Sequence, residues 1–451
     1  MRKGRRPQPT TGVHRIRSEQ MLDRTVVDSI SSGRAALARM AELYPFCRSI
    51  SGNGLRETLR LIGRDVPLQI VETPTGNHVL DWIVPNEWNI RAAWIEGPDG
   101  ARVVDFADSN LHVLNYSAPV DTTVSLEELR EHVFTHPTNP DLVPYRTSYY
   151  AERWGFCMSQ QQLDALQPGE YRAFVDSTLA PGSISYGEAV FPGSTDEEVL
   201  LTTYPCHPSL ANDNLSGVAL LAEIGRALAV QPTRRFTYRL LWVPGTIGSI
   251  CWLAANRDRV NRIRHGLVIS CVGDPGPFTY KRSRRGDTEI DRAVTHVLRS
   301  DPENRVLDWS PYGGDERQFC SPGFDLPVGA FARTPADRFP EYHSSADNLE
   351  LVRAEHLAGS FETLLQVIDV IESNAHYLNR SPFGEPQLGR RGLYRGVGGG
   401  SSQELALLWV LSLSDGTRSL LDIADTSGMS FDDLRQAADR LAAHDLLEKT
   451  V

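Results

Sequence analysis

Glu198-Val-Leu-Leu-Thr-Thr-Tyr-Pro-Cys-His207-Pro-Ser-Leu-Ala-Asn-Asp213-Asn-Leu-Ser-Gly217-Val-Ala-Leu-Leu-Ala-Glu-Ile-Gly-Arg-Ala-Leu-Ala229 sets the grammar of the chain. Glu198–Pro205 is a short, mainly apolar run closed by a proline, which reads as a buried strand. Leu215–Ala229 reads as a helix packed on it. His207 follows the C-terminal end of the strand, and Asp213 and Asn214 stand at the mouth of the helix. Open α/β sheets place ligand sites at that junction. By itself the passage leaves two readings open: a loop histidine beside an ordinary helix N-cap, or a site.

The alternation continues on the C-terminal side. Arg235–Pro244 reads as a strand, Gly248–Asp258 as a helix, His265–Gly273 as a strand and Leu326–Thr334 as another, closed by a long helix over 352–375. Strands alternating with helices predict an α/β domain with a largely parallel sheet. On the N-terminal side, residues 20–60 read as helical, with Val26, Ile30, Ala35, Leu37 and Met40 in period and a second helix after Gly52-Asn53. Between 65 and 150 the texture changes to short β-rich runs separated by turn signals such as Thr75-Gly76-Asn77 and Pro98-Asp99-Gly100. That spacing predicts a small all-β insert. Residues 380–402 are rich in Gly, Pro and Arg and read as a linker. Three helix-like pieces follow, suggesting a helix-turn-helix or winged-helix module. The expected division is 20–62 and 152–382 for the α/β domain, 63–151 for the insert and 386–451 for the terminal module.

The 451 residues are 41% hydrophobic and 23% charged, ordinary globular usage that excludes global disorder. No apolar run approaches the ~20 residues of a membrane span. The first residues, basic and polar, have no apolar stretch behind them to act as a secretory signal and read as a solvated tail. Six scattered cysteines without a CxxC pair speak against a zinc ribbon or disulfide scaffold. A cytoplasmic protein with reduced thiols is the expectation. A net charge of −11 opposes general nucleic-acid binding. From Gln403 onward nine acids face four bases, so packing or homo-oligomer formation is expected of that module ahead of DNA contact.

A second histidine, His343, lies in the polar loop Arg338-Phe-Pro-Glu-Tyr-His-Ser-Ser-Ala-Asp-Asn348. Two histidines and a carboxylate at strand-to-helix junctions of one α/β domain make a metal set, because imidazole nitrogen and carboxylate oxygen are the usual ligands of catalytic zinc. The Asn-Asp-Asn-Leu-Ser-Gly helix start and the late Glu-Tyr-His-Ser-Ser-Ala-Asp-Asn loop resemble the co-catalytic zinc aminopeptidase and glutamate-carboxypeptidase superfamily. More narrowly, residues 40–450 resemble the bacterial aminopeptidase-like family with an inserted β-domain and a C-terminal winged helix. Stretches that carry this include YPFCRSISGNGLRETL, DWIVPNEWNIR, CHPSLANDNLSG, GTIGSICWLAANRD, GGDERQFCSPG and RTPADRFPEYHSSADNLELV.

The resemblance implies a zinc-peptidase-like three-layer α/β/α domain acting on an amide or peptide-like bond of a small-molecule or peptide-like substrate. It implies His207, Asp213 and His343 as metal ligands, with Asp213 in the bridging position and Asp274 as an additional candidate. Glu341 and the pair Asp315-Glu316 are nearby carboxylates placed to complete a metal shell or meet a substrate amine, Glu316 and Glu341 being the candidates for the catalytic part. One departure matters: where the family carries a glutamate, this chain reads Val243-Pro-Gly245-Thr-Ile-Gly-Ser249. A dinuclear site would lose its base and one carboxylate there, which favours one zinc ion per chain, although two remain open. A non-hydrolytic relative that keeps the pocket, and a DNA-binding regulator, stand as alternatives. Arg282, Arg284 and Arg285 follow a strand end and are candidates for anchoring a substrate carboxylate or phosphate, against a solvated loop. Trp82, Trp88 and Tyr145 are candidate pocket walls, against core packing.

Overall fold

A computed structural model describes residues 28–394 and 402–450; the basic tail and part of the linker lie outside the described residues. Its described segments divide into a large unit ending at Glu372 and a smaller one beginning at Ser373.

In the large unit, four strands form a parallel centre in the spatial order Thr237–Trp242, Glu198–Thr203, Ile263–Ile269, Val328–Ala332. Every residue of Glu198–Thr203 is buried, as a strand covered on both faces must be. The sheet is less parallel than its alternation suggests. Ser183–Phe191 joins antiparallel to Thr237–Trp242, and Gln69–Pro74 antiparallel to Ser183–Phe191. Thr279–Lys281 pairs antiparallel with Val328–Ala332 and carries Arg305–Leu307 at the far edge. Helices Ser29–Leu43, Gly217–Val230, Ile247–Ala255, Glu289–Leu298 and Ala354–Ser373 accompany this sheet. Gly217–Val230 buries eleven residues, which explains why it reads as apolar on nearly all sides.

The insert is a four-stranded antiparallel sheet ordered Arg102–Asp105, Glu87–Glu96, Glu170–Ala180, Val120–Ser125. Its period is two: Ala93, Ile95, Tyr171, Ala173 and Val175 point into one apolar cluster, while Trp94 and Phe174 stack outside at 5.0 Å. Two boundaries shift. Gln69–Pro74, expected in the insert, pairs in the main sheet. Glu170–Ala180, expected in the α/β domain, is the long strand that organises the insert. Local composition cannot assign a strand to one of two sheets, because the partner is chosen by tertiary contact.

In the smaller unit, His376–Asn379 lies between Asp415–Ser419 and Leu447–Lys449. Helices Ser402–Leu413, Leu420–Ser427 and Phe431–Ala443 complete a winged helix-turn-helix. This module therefore begins before the expected boundary at 386. Among the described residues no helix is long and apolar enough to cross a membrane.

Candidate metal centre

The Asn-Asp-Asn sequence divides its labour. Asn212 donates to Asp274 at 3.0 Å and accepts from the Gly273 amide at 2.9 Å. Asn214 donates to Thr203 at 2.8 Å and accepts from the Cys271 amide at 3.1 Å. Both asparagines thus fasten the turn to the loop after Ile263–Ile269. Asp213, fully buried between them, has non-helical dihedrals of −107° and 84°. Asp347 fixes the same turn from the other motif: its carboxylate accepts the amides of Asn212 and Asp213 at 2.6 and 2.9 Å. Burial pushes the Asp347 carboxyl up to about 7.

His207 and His343 meet Asp213 from two further loops. Asp213 Oδ2 lies 3.5 Å from His207 Nδ1 and 2.9 Å from His343 Nε2. The three side chains form a cluster whose ligand atoms lie within 4.8 Å of one another. Each of the three converging atoms is buried and lacks a directed hydrogen bond. Ligand atoms about 2.0–2.2 Å from one tetrahedral zinc lie roughly 3.4 Å apart, so the set fits a metal. Burial works against ionising Asp213, but the two imidazoles outweigh it and hold the carboxyl well below the usual carboxylate range. Burial also holds His343 below the ordinary imidazole value, leaving it neutral as a ligand must be.

The remaining contacts hold these groups in place. Tyr204 donates its hydroxyl to Asp213 Oδ1 at 2.7 Å, so one carboxylate oxygen is already engaged. The Arg48 guanidinium, fully buried, donates to the His207 carbonyl at 2.9 Å. Residues 143–145 pair with the His343 loop through Tyr145 N–H to the His343 carbonyl at 2.7 Å and Ser345 N–H to the Val143 carbonyl at 2.8 Å. The Tyr145 ring stands edge-on to both histidines, 5.1 and 5.0 Å away. His343 is held at φ 53°, a left-handed backbone that a non-glycine residue takes only under such constraint.

A cavity of about 870 Å³ opens beside His207. Trp82 lines it and Tyr145 borders the metal set, but Trp88 belongs to the core, with its indole N–H on the Ser117 carbonyl at 2.8 Å. Gly245 and Thr246 form part of its wall. Asp315 accepts the Thr246 amide at 2.7 Å, and burial pushes its carboxyl up to about 6.

Several expected site residues stand elsewhere. Asp274 is outside the metal set: Asn212, the Gly276 amide and Thr334 consume its carboxylate. The sulfur nearest Asp213 from that loop belongs to Cys271, 3.9 Å from Oδ1. Glu316 is buried against Lys281 and does not line the cavity. Glu341 is half-buried and does not line it either. Arg284 lines it, but Asp325 takes both Arg284 and Arg285, at 2.7 and 3.1 Å. Arg282 reaches toward Asp308 instead, at 3.9 Å. Tyr204, Asp347 and Arg317 are neighbours of the cluster or cavity that the sequence reading did not single out, whereas Asp315 was named together with Glu316. Tyr204 and Asp347 do lie inside the two motifs.

The sheet with its loop-borne cluster defines an aminopeptidase-like fold. A Bacillus subtilis zinc aminopeptidase superposes with a TM-score of 0.56 at 11% identity, over 74% of this chain and 94% of that one. An M28 peptidase precursor from Shewanella amazonensis gives 0.53 at 13%, over 76% and 96%. Residues 37–374 match the family described as "Domain of unknown function (DUF4910)", to which the chain belongs, and 375–449 match a winged helix-turn-helix. A Clostridium acetobutylicum protein is 48% identical over 95% of this chain and 99% of its own length. It bears the provisional description of a polysaccharide biosynthesis protein with aminopeptidase-like domain. A crystal structure of a provisionally described peptidase from the same organism superposes with a TM-score of 0.90 at 46% identity, covering 95% of this chain and 99% of that one.

Proposed function

We propose that the chain is a zinc-dependent hydrolase of an amide or peptide-like bond in a small metabolite, with one ion held by His207, Asp213 and His343. The observation that carries this reading is the convergence of three buried, unsatisfied donor atoms beside a cavity. Zinc in such a setting supplies Lewis-acid polarisation of a carbonyl oxygen.

The protein's own groups do the rest. Tyr204 occupies the second oxygen of Asp213, which favours one ion over two. Asp347 and the two asparagines fix the carboxylate's direction, and Arg48 fixes the His207 loop. Gly245 brings no proton carrier to the wall. Asp315 lies buried behind it on the Thr246 amide, its carboxyl pushed up to about 6 by burial, and does not line the cavity, so among the described residues the wall itself offers no carboxylate for proton exchange. The description of the Clostridium acetobutylicum relative supports a biosynthetic metabolite as substrate.

Elemental analysis of the purified protein tests the metal. About one zinc per chain is expected, lost in His207→Ala and in Asp213→Ala. A wild-type content below about 0.2 per chain would count against the hydrolase and favour a pocket kept for binding alone.

A further inference from the structure

We infer that the cavity beside His207 selects an anionic substrate, an N-acyl compound bearing a carboxylate or phosphate near its amide, rather than a free amine. This deepens the hydrolase reading and rests on it. Among the described residues that line the cavity, Arg284 and Arg317 carry the fixed charges, and none is Asp or Glu. A substrate ammonium offers only donors and needs acceptors to meet it. The carboxylates nearby are already committed: Asp315 to the Thr246 amide, Glu316 to Lys281, Asp325 to Arg284 and Arg285, Asp213 to the metal set.

The donors are not all committed. Arg317 is exposed and forms no ion pair among the described residues, so its guanidinium is available to an oxyanion. Trp309, also lining the cavity, has a buried indole N–H without a partner. Trp82, Tyr149 and Tyr150 add an aromatic wall, Trp82 and Tyr150 meeting edge to face at 5.3 Å. A ring seats against such a wall while an anion reaches Arg317. Two guanidinium groups and no carboxylate in the described lining are the inverse of what recognition of a charged amino terminus requires.

Calorimetric titration of the full-length zinc-loaded protein tests this with N-benzoylglycine, N-acetylglucosamine 1-phosphate and phenylalaninamide. At least one anionic probe is expected to bind about tenfold or more tightly than the amine, the scale of one charge-assisted contact. Which anion binds better separates carboxylate from phosphate. Arg317→Glu should erase the preference and Arg317→Lys should keep part of it. Equal or tighter binding of phenylalaninamide, failure of both anions to bind, or a preference unchanged in Arg317→Glu would overturn the inference. Turnover is followed separately. Anion binding without hydrolysis would refute the hydrolase and leave the preference standing, whereas hydrolysis of the amine by wild type and Arg317→Glu alike would do the reverse.

Discussion

A Cβ built on Gly245 would meet only the Cys206 sulfur, at 3.6 Å, an ordinary contact. The first carbon of the glutamate that the family resemblance places there therefore fits the wall without strain. Gly245→Glu is expected to fold and to raise hydrolysis of aminoacyl-anilides without changing zinc content. A positioned carboxylate typically contributes about 10²–10⁴-fold to proton transfer. Unchanged rates would show that its absence is not what restrains the site. Asp315 gives a pH prediction. Its carboxyl titrates near 6 against an ordinary 3.8, so the native state binds the extra proton between those values. The stability this lends is full below about 4 and lost as pH rises through 6, roughly 2–3 kcal/mol in all. Asp315→Asn keeps an acceptor for the Thr246 amide and should flatten that slope in urea titrations from pH 4 to 7. The departure at Gly245 was visible in the sequence. The buried carboxylate beside it was not distinguishable from its neighbour Glu316, because only the fold turns one toward Thr246 and the other toward Lys281.

Among the secondary elements, the start of Gly217–Val230 is tightly constrained. A side chain at Gly217 would press on the Ile269 carbonyl at 2.6 Å, Thr203 Oγ1 at 2.7 Å and Asn214 Oδ1 at 2.6 Å. The glycine lets the helix begin against two strand ends at once. Gly217→Ala should cost about 1–3 kcal/mol, seen as a lower thermal midpoint, and should loosen zinc by shifting Asn214 and with it Asp213. Asp347→Asn, which keeps shape but substitutes an amide for one acceptor of two backbone N–H groups, should weaken zinc retention on dialysis against chelator more than it lowers thermal stability. The strand–loop–helix itself was legible, since an apolar run, a proline and a second apolar run leave little choice. The partners of its polar residues were not.

For the whole molecule, charge decides what the terminal module meets. Phe431–Ala443, the second helix of its helix-turn-helix, begins with Asp432 and Asp433 and carries Asp439, and Arg435 is spent on Asp432 and Asp439. Phosphate contact needs a positive face. Random duplex DNA should therefore show no salt-dependent mobility shift with the full-length protein at low ionic strength. Such a shift would restore the regulator reading. Within the large unit, residues 143–145 pair with the loop of His343 and carry Tyr145 beside both histidines.

The sequence by itself determined the layer class, the succession of a β-insert and a winged helix, the pair of motifs bearing His207, Asp213 and His343, and the glycine at 245 where the resemblance implies a glutamate. These are properties of short segments: apolar period, turn residues, and ligand types at fixed spacing. Tertiary structure decided which sheet took Gln69–Pro74 and which took Glu170–Ala180. It also decided that Asp274 braces Asn212 outside the cluster of His207, Asp213 and His343, and that Asp325 pairs with Arg284 and Arg285 while Arg317 lines the cavity. A carboxylate or guanidinium looks the same in any sequence. What it does is fixed by the nearest opposite charge or unsatisfied amide, and those partners lie tens to hundreds of residues away along the chain.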